Sequence, residues 1–146
     1  EIIGIEPGAG IMTATENAIE TYGLDMQLVD GSDPAMVAAL DRAVSRGDWV
    51  VITGWEPHWK WVSYDLKYLD DPQGAFGEPG SVHTVLNPEF AENAPDDLMA
   101  FLEAFYWTSE DMGEVMLLMS EEGLDPWEAA ETWVAENSET VQSWLD

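Results

Sequence analysis

The first half of the chain alternates short apolar runs with stretches of helical periodicity. The runs Glu1–Ile5, Gln27–Val29 and Trp49–Thr53 lack polar alternation, as expected of strands buried on both faces. Between the runs, apolar residues lie on one face of a helix, first at Ile11, Ala14, Ala18 and Tyr22 and then at Met36, Val37, Leu40 and Val44. Three buried strands joined by two helices predict an α/β fold with a βαβαβ parallel sheet.

Both predicted helices have recognisable ends. Gly23 and Gly47 follow the last periodic residues, where glycine adopts the left-handed conformation that stops a helix. Ser32-Asp33-Pro34 combines a capping side chain with a proline in the first turn, which favours a helix start at this point.

The second half of the chain changes character. A polar, Pro- and Gly-rich passage covers residues 70–80, and Ser81–Leu86 then alternates in the manner of a returning strand. Four helices are predicted after it, at Pro95–Phe105, Thr108–Glu122, Pro126–Asn137 and Ser138–Leu145. We therefore expect an α/β domain over residues 1–80, followed over residues 81–146 by one strand and a mostly helical half.

Composition excludes several classes of protein. The chain has 146 residues, about one domain in length, with 46% apolar residues, 8 Trp and no Cys. This content can bury a core, which argues against a disordered tail, and the missing cysteines exclude a disulfide scaffold. No apolar run reaches the ~20 residues of a membrane span. No signal peptide is recognisable, so we expect a cytosolic chain or the mature part of an exported one.

Charge narrows the choice of partners. The chain carries 4 Lys+Arg against 30 Asp+Glu, for a formal charge of −26, and residues 70–146 hold no Lys or Arg. Such a surface repels phosphates, so nucleic acid is not an expected partner. Two interpretations of the acidity stay open. It is a generally soluble acidic surface, or an adaptation to a saline exterior where salt screens the repulsion.

A glycine-rich turn after the first strand is one candidate site. In Pro7-Gly8-Ala9-Gly10-Ile11 the chain passes from a strand into a helix, at the strand edge where open α/β sheets bind ligands. The free backbone N–H groups of Gly10 and Ile11 at the helix N-terminus can bind an anion without a basic side chain. The alternative is a simple glycine turn between strand and helix.

Trp55 is the other candidate. It follows the third strand by two residues and is expected on the same sheet edge as Gly10. An indole face attracts quaternary ammonium, so an anion site opposite Trp55 suits a zwitterion with a carboxylate at one end. Most tryptophans are packing residues, however, and Trp107, Trp127, Trp133 and Trp144 are interpreted in that way.

Other polar residues carry no clear chemistry. His58 is expected to hold its own loop and His83 to be structural, because neither has the spacing of a zinc site. Asp70-Asp71-Pro72 is interpreted as a solvated turn rather than a carboxylate pair or metal site. Neither a Cys nucleophile nor a Gly-x-Ser-x-Gly motif is present. We therefore predict no catalytic residue, no metal and no cofactor.

These segments carry a family resemblance. The sequence resembles the glycine betaine/proline betaine solute-binding proteins of ABC importers over nearly its whole length. The matching stretches are Ile2–Met12, Val51–Trp59, Tyr64–Pro72, Val82–Val85, Trp107–Gly113 and Ala129–Trp144. The resemblance implies a lobe of the two-lobed periplasmic-binding-protein type II fold, which closes on its ligand by hinge motion. It also implies that Gly10 and Ile11 bind the betaine carboxylate and that Trp55 is one wall of an aromatic box around the trimethylammonium.

The chain departs from the family pattern in two ways. Some members carry Trp at the position of Ala9, and members run to roughly twice this length. We therefore expect one lobe, a crossover strand and helices that dock on a second lobe, with the missing half or a second copy as partner. The implied ligand is a betaine-type solute and the implied partner an importer permease. The expected location is periplasmic or extracytoplasmic, with membrane anchoring through a missing segment as an option.

Two alternatives to this function are retained. One is a sensor or regulatory module that uses the same lobe, and the other is a choline- or carnitine-type binding protein on the same fold. An enzyme is not expected, since no catalytic group suggests one.

Overall fold

Three short apolar segments pair in parallel in the computed structural model of the chain, which describes residues 1–78 and 80–145. Strand β1 (Ile2–Ile3) pairs with β2 (Leu28–Val29). On its other side, Ile3 forms an isolated parallel bridge with Ile52. The parallel arrangement and the central position of the first strand confirm the predicted α/β class, although the sheet is smaller than predicted.

The two helices of the first half confirm their predicted ends. Helix α1 covers Gly10–Tyr22 and ends at Gly23, which has a φ of 59°. Helix α2 covers Asp33–Arg46 and ends at Gly47, with a φ of 70°. The Ser32 side chain caps α2 by accepting the Ala35 N–H. These ends are well predicted because capping and left-handed glycine are local properties of the chain.

The predicted strands are longer than the observed ones. The third run, predicted to be buried from Trp49 onward, pairs only through the backbone of residues 51–53, and Trp49 is fully exposed. β-branched and aromatic residues raise strand propensity, but a strand needs a neighbouring strand at every position. Trp49 lies before the point where the parallel ladder begins, so its burial was wrongly predicted.

The second half is helical, as predicted. A short helix α3 (Lys60–Ser63) precedes five further helices. They are α4 (Pro88–Asn93), α5 (Asp96–Ala104), α6 (Ser109–Glu121), α7 (Pro126–Glu136) and α8 (Ser138–Leu145). Helices α6 and α7 begin at capping boxes formed by Thr108 with Asp111 and by Asp125 with Glu128. These two boxes confirm the predicted starts.

The crossover strand predicted over Ser81–Leu86 is not formed. Within the described residues this segment has no ladder hydrogen bonds, and Val82 and Val85 are 80% and 87% exposed. Its alternating pattern satisfies the local requirement of a strand, but no described segment pairs with it through ladder hydrogen bonds. The prediction of a strand here was wrong for this chain.

The chain divides into two units. One comprises Glu1–Trp55 and Leu66–Pro79, and the other comprises Glu56–Asp65 and Gly80–Asp146. The buried residues of the first unit include Ile2, Ile5 and Met12, together with Met36 and Leu40 of α2. Within residues 1–78 and 80–145, no helix combines the length and the hydropathy that crossing a bilayer requires.

Aromatic side chains form the core of the second unit. Trp133 and Trp144 are buried, and their rings stack with centroids 6.0 Å apart. Phe105 packs edge-on against Trp144, and Trp107 packs edge-on against Trp133. The packing role predicted for these tryptophans is confirmed. It was wrong for Trp127, which is 74% exposed because it lies in the first turn of α7, off the face that carries Trp133.

Candidate functional site

The connection from β1 to α1 ends at an open helix N-terminus. The Ala9 N–H donates to the Glu6 carbonyl oxygen at 3.2 Å, and α1 begins at Gly10. The Met12 N–H already returns to the Ala9 carbonyl oxygen, at 3.0 Å. The N–H groups of Gly10 and Ile11 precede it in the first turn, where a helix has no internal acceptor for them. Gly10 is exposed and Ile11 is half-buried.

This N-terminus lacks the groups that cap other helices of the chain. Among the described residues, no side chain caps α1 and its first turn contains no acid. By contrast, capping side chains and first-turn acids occur together at the N-termini of α2, α4, α6 and α7. Among the described residues, the partial positive charge at the start of α1 therefore has neither a capping side chain nor a first-turn acid, although the chain holds 30 acidic residues. It can accept an anion that the protein does not supply.

Trp55 follows the strand segment next to β1. The Thr53 N–H donates to the Ile3 carbonyl oxygen at 2.9 Å, which aligns the end of this segment with the end of β1. Trp55 comes two residues later and is half-buried. Because parallel strands end at the same sheet edge, the connections that carry Trp55 and Gly10 leave the sheet at one edge. Contact of these residues with a ligand stays a prediction.

The structure adds a residue that the sequence did not indicate. The Thr53 side chain is 3% exposed, and its Oγ1 has no hydrogen-bond partner among the described residues. A buried hydroxyl without a partner is uncommon, because it loses its hydrogen bonds to water and gains none in return. No sequence signal marks Thr53, since threonine is an ordinary strand residue and the loss of partners is visible only in three dimensions.

The two histidines differ in their surroundings. The buried His58 accepts the Lys60 N–H on Nδ1 at 3.1 Å, and its ring lies 5.7 Å from that of Trp59. The prediction that His58 holds its own loop is therefore confirmed. His83 is exposed and lies in the segment where the predicted strand is not formed.

Asp71 organises the turn that was predicted at Asp70-Asp71-Pro72. Its carboxylate accepts the Tyr22 hydroxyl and the N–H groups of Ala75 and Phe76, the latter two at 2.9 Å. The hydrogen bond from Tyr22, aided by these backbone donors, lowers the pKa of Asp71 from its ordinary value. Desolvation, reinforced by the bond to Asp71, raises the pKa of Tyr22. The turn interpretation is confirmed.

A separate groove lies in the second unit. It has a volume of about 890 Å³ and is lined by residues of α6 and α7 together with residues 62–64. Its wall includes Trp133 and four glutamates, at positions 114, 121, 122 and 136. Across residues 1–78 and 80–145, no group of three or more His, Cys, Asp or Glu side chains is arranged to hold a metal ion.

Comparison with known proteins identifies the class. Residues 1–136 match the family described as the substrate binding domain of ABC-type glycine betaine transport system. The chain belongs to this family, which the resemblance in the sequence predicted.

Individual relatives agree with the family match. The chain is 43% identical to the glycine betaine/carnitine transport binding protein GbuC of Listeria monocytogenes serotype 1/2a (strain 10403S), over 99% of this chain and 49% of that protein. It is similar to lactococcal OpuAC, solved in a closed conformation with glycine betaine, at a TM-score of 0.73 and 39% identity, covering 99% of this chain and 57% of that one.

A third relative is the glycine/betaine/L-proline-binding protein ProX of Borrelia burgdorferi, at a TM-score of 0.69 and 35% identity. This match covers 99% of the present chain and 55% of the other. The chain therefore spans about half the length of the relatives that it matches.

Proposed function

We propose that this chain is the ligand-binding lobe of an ABC importer's substrate-binding protein, and that it captures glycine betaine or a related quaternary ammonium solute. Import of such a compatible solute serves osmoprotection. The lobe belongs to the periplasmic-binding-protein type II class, with residues 1–80 forming the ligand-binding part and residues 81–146 docking on the second lobe. Family membership over residues 1–136 and the binding functions named for the relatives support this proposal.

One structural observation carries the proposal. The backbone bond between Thr53 and Ile3 joins the two neighbouring strand ends from which the Gly10 and Trp55 connections leave. The uncapped start of α1 favours a negative group, and an indole favours a quaternary ammonium. A betaine carries both groups on one small molecule, so its two ends match the two features.

Each of the two contacts contributes part of the free energy of binding. The N–H groups of Gly10 and Ile11 donate to the carboxylate, and the helix dipole contributes about 0.3–1 kcal/mol to such a contact. The Trp55 face binds the trimethylammonium, and a single cation–π contact contributes about 0.5–2 kcal/mol. Ala9 has no ring, so further aromatic walls come from outside this turn.

Partners follow from the same proposal. The protein works with an importer permease at a periplasmic or other extracytoplasmic location, and its second lobe comes from another part of the protein or from a second copy of this chain. Nucleic acid is not a partner, because the charge of −26 opposes it.

Carnitine is a second candidate ligand, since the name of the Listeria relative includes it. A sensor or regulatory module on the same lobe is the second candidate function.

A titration of the 146-residue chain with glycine betaine tests the proposal. Trp55→Ala is compared with Trp127→Ala, which removes another partly exposed indole from a helix of the second unit. We expect the dissociation constant to rise at least about threefold in Trp55→Ala, as loss of ~0.7 kcal/mol requires, and to stay unchanged in Trp127→Ala. Equal affinities in the two variants contradict a role of Trp55 in binding.

A further inference from the structure

The Met12 sulfur joins the first turn of α1 to the end of β1. The Ile5 N–H, two residues beyond the end of β1, donates to Met12 Sδ at 3.2 Å. Met12 is 3% exposed and directly follows Ile11. A backbone N–H in this position would ordinarily continue the sheet ladder or bind water. Here a side chain of the helix that carries the proposed anion site takes its place.

Gly4 makes room for this contact. A Cβ at Gly4 would lie 2.5 Å from Met12 Sδ and 2.6 Å from its methyl carbon, closer than real side chains approach. The absence of a side chain at Gly4 therefore lets the thioether lie directly against the backbone that follows β1. The Ile5 carbonyl oxygen also has a partner, because it accepts the Gly31 N–H at 3.0 Å.

We infer that Met12 is a positioning residue, which holds the N–H groups of Gly10 and Ile11 in the orientation that a ligand carboxylate needs. The inference rests on the proposed function of this helix N-terminus. Only four residues separate Ile5 from Gly10, and the bond from Ala9 to Glu6 is the one internal backbone bond recorded within that turn. The sulfur contact therefore adds a second attachment, in the same first turn of α1 as the donors.

Met12→Leu tests this role, because leucine keeps the buried apolar volume but removes the acceptor of the Ile5 N–H. Met36→Leu is the matched control. Met36 is fully buried in α2 of the same unit, so its replacement reports the general effect of losing a core thioether. Both variants are titrated with glycine betaine and with choline, which shares the trimethylammonium but has no carboxylate.

We expect the loss of Met12 to weaken the binding of betaine, which has a carboxylate, more than the binding of choline. In Met12→Leu we expect the ratio of the betaine to the choline dissociation constant to rise about threefold, because the donors to the carboxylate are misplaced while the trimethylammonium contact is kept. In Met36→Leu the ratio changes by less than about twofold. If Met12 has only a structural role, its replacement weakens the binding of both ligands equally. An unchanged ratio of dissociation constants in Met12→Leu therefore overturns the inference.

A measurement on the unaltered chain does not depend on the variants folding. With methyl-labelled methionine and uniform ¹⁵N, betaine is expected to shift the Ile5 amide and the Met12 methyl signals, but not the Met36 methyl signal. If the amides of Gly10 and Ile11 respond to betaine while Ile5 and Met12 do not, the positioning role is wrong and the binding site stands. If Gly10 and Ile11 themselves do not respond, the proposed function fails first.

Discussion

The Thr53 N–H donates to the Ile3 carbonyl oxygen at 2.9 Å, and this bond ties together the two strand ends on which the proposed binding site depends. Beyond Ile3 the chain turns into the uncapped start of α1 at Gly10. Beyond Thr53 it reaches Trp55 within two residues. The proposed anion site and the proposed aromatic contact thus follow adjacent parallel strand segments.

The first prediction concerns the strength of binding by this chain alone. One indole and two backbone donors leave most of a small ligand in contact with water, so we expect glycine betaine to bind no tighter than about 1 mM, or about −4 kcal/mol. Calorimetry on the 146-residue chain measures this directly. Micromolar affinity, about −8 kcal/mol, would contradict it, since these contacts do not supply that much free energy.

The second prediction concerns the hydrogen bond between Tyr22 and Asp71. Because the folded state lowers the pKa of Asp71, this group stabilises the protein above its unfolded pKa of about 3.9, and the contribution is lost as the pH falls through the lower folded value. The raised pKa of Tyr22 acts at the other end of the range. It stabilises the fold below about pH 10, and this contribution is lost as the pH rises through the folded value.

Tyr22→Phe removes the contribution of Tyr22 and reduces that of Asp71, which keeps its backbone donors. We expect the pH dependence of the urea midpoint to become shallower at the acidic and alkaline ends, and the turn at residues 71–76 to lose protection from amide exchange. Tyr106→Phe is the control, because Tyr106 is 72% exposed in the second unit. Identical pH profiles for the two variants would show that the Tyr22–Asp71 bond does not contribute to stability.

The third prediction concerns the aromatic core of the second unit. The buried Trp133 donates from Nε1 to a Glu114 carboxylate oxygen at 2.9 Å. Glu114→Ala leaves this donor without that acceptor, so the free energy of unfolding should fall by about 1–3 kcal/mol. Glu114→Gln removes the same charge but keeps an acceptor oxygen, and it should lose much less. If chemical denaturation shows that both variants lose the same free energy of unfolding, the loss comes from the removed charge and not from the hydrogen bond.

The fourth prediction concerns salt. The chain has a formal charge of −26, and the ion pair between Arg46 and Asp48 is exposed, so self-repulsion is poorly compensated. Raising the ionic strength to 1 M shortens the Debye length to about 3 Å and screens this repulsion. We expect the urea midpoint to rise with sodium chloride up to that concentration. A midpoint that is constant or falls would show that the acidity does not limit stability.

Much of the fold follows from local sequence features. The ends of α2 depend on Ser32 and Gly47, and the starts of α6 and α7 depend on capping boxes at Thr108 and Asp125. All of these interactions join residues within four positions of one another, so the sequence is sufficient to predict them. Apolar periodicity likewise places Trp133 and Trp144 in the core.

The errors arise where distant residues decide the outcome. Trp49 and Ser81–Leu86 have the composition or pattern of a strand, but no described segment pairs with them. Trp127 shares helix α7 with Trp133, yet the rotation of the helix against its neighbours leaves Trp127 exposed. Strand pairing and helix rotation are tertiary properties, and single-sequence patterns report them poorly.

The candidate site shows the same division. The sequence places Gly10, Ile11 and Trp55 directly after recognisable apolar runs, and the structure has them there, while their contact with a ligand stays a prediction. The buried hydroxyl of Thr53 and the sulfur contact of Met12 were not predictable, since both depend on which atoms meet across the sheet and the helix. Residues that support a binding site are therefore harder to predict than residues exposed in its connecting loops.

Nuclear magnetic resonance of the uniformly ¹⁵N-labelled chain during titration with glycine betaine tests the central claim most directly. We predict that the amides of Gly10 and Ile11 and the indole N–H of Trp55 shift together, with a single dissociation constant. The claim is that one zwitterion binds between the start of α1 and Trp55. Shifts confined either to the Gly10 and Ile11 amides or to Trp55 would contradict it, and so would shifts centred on Trp133 in the groove lined by α6 and α7.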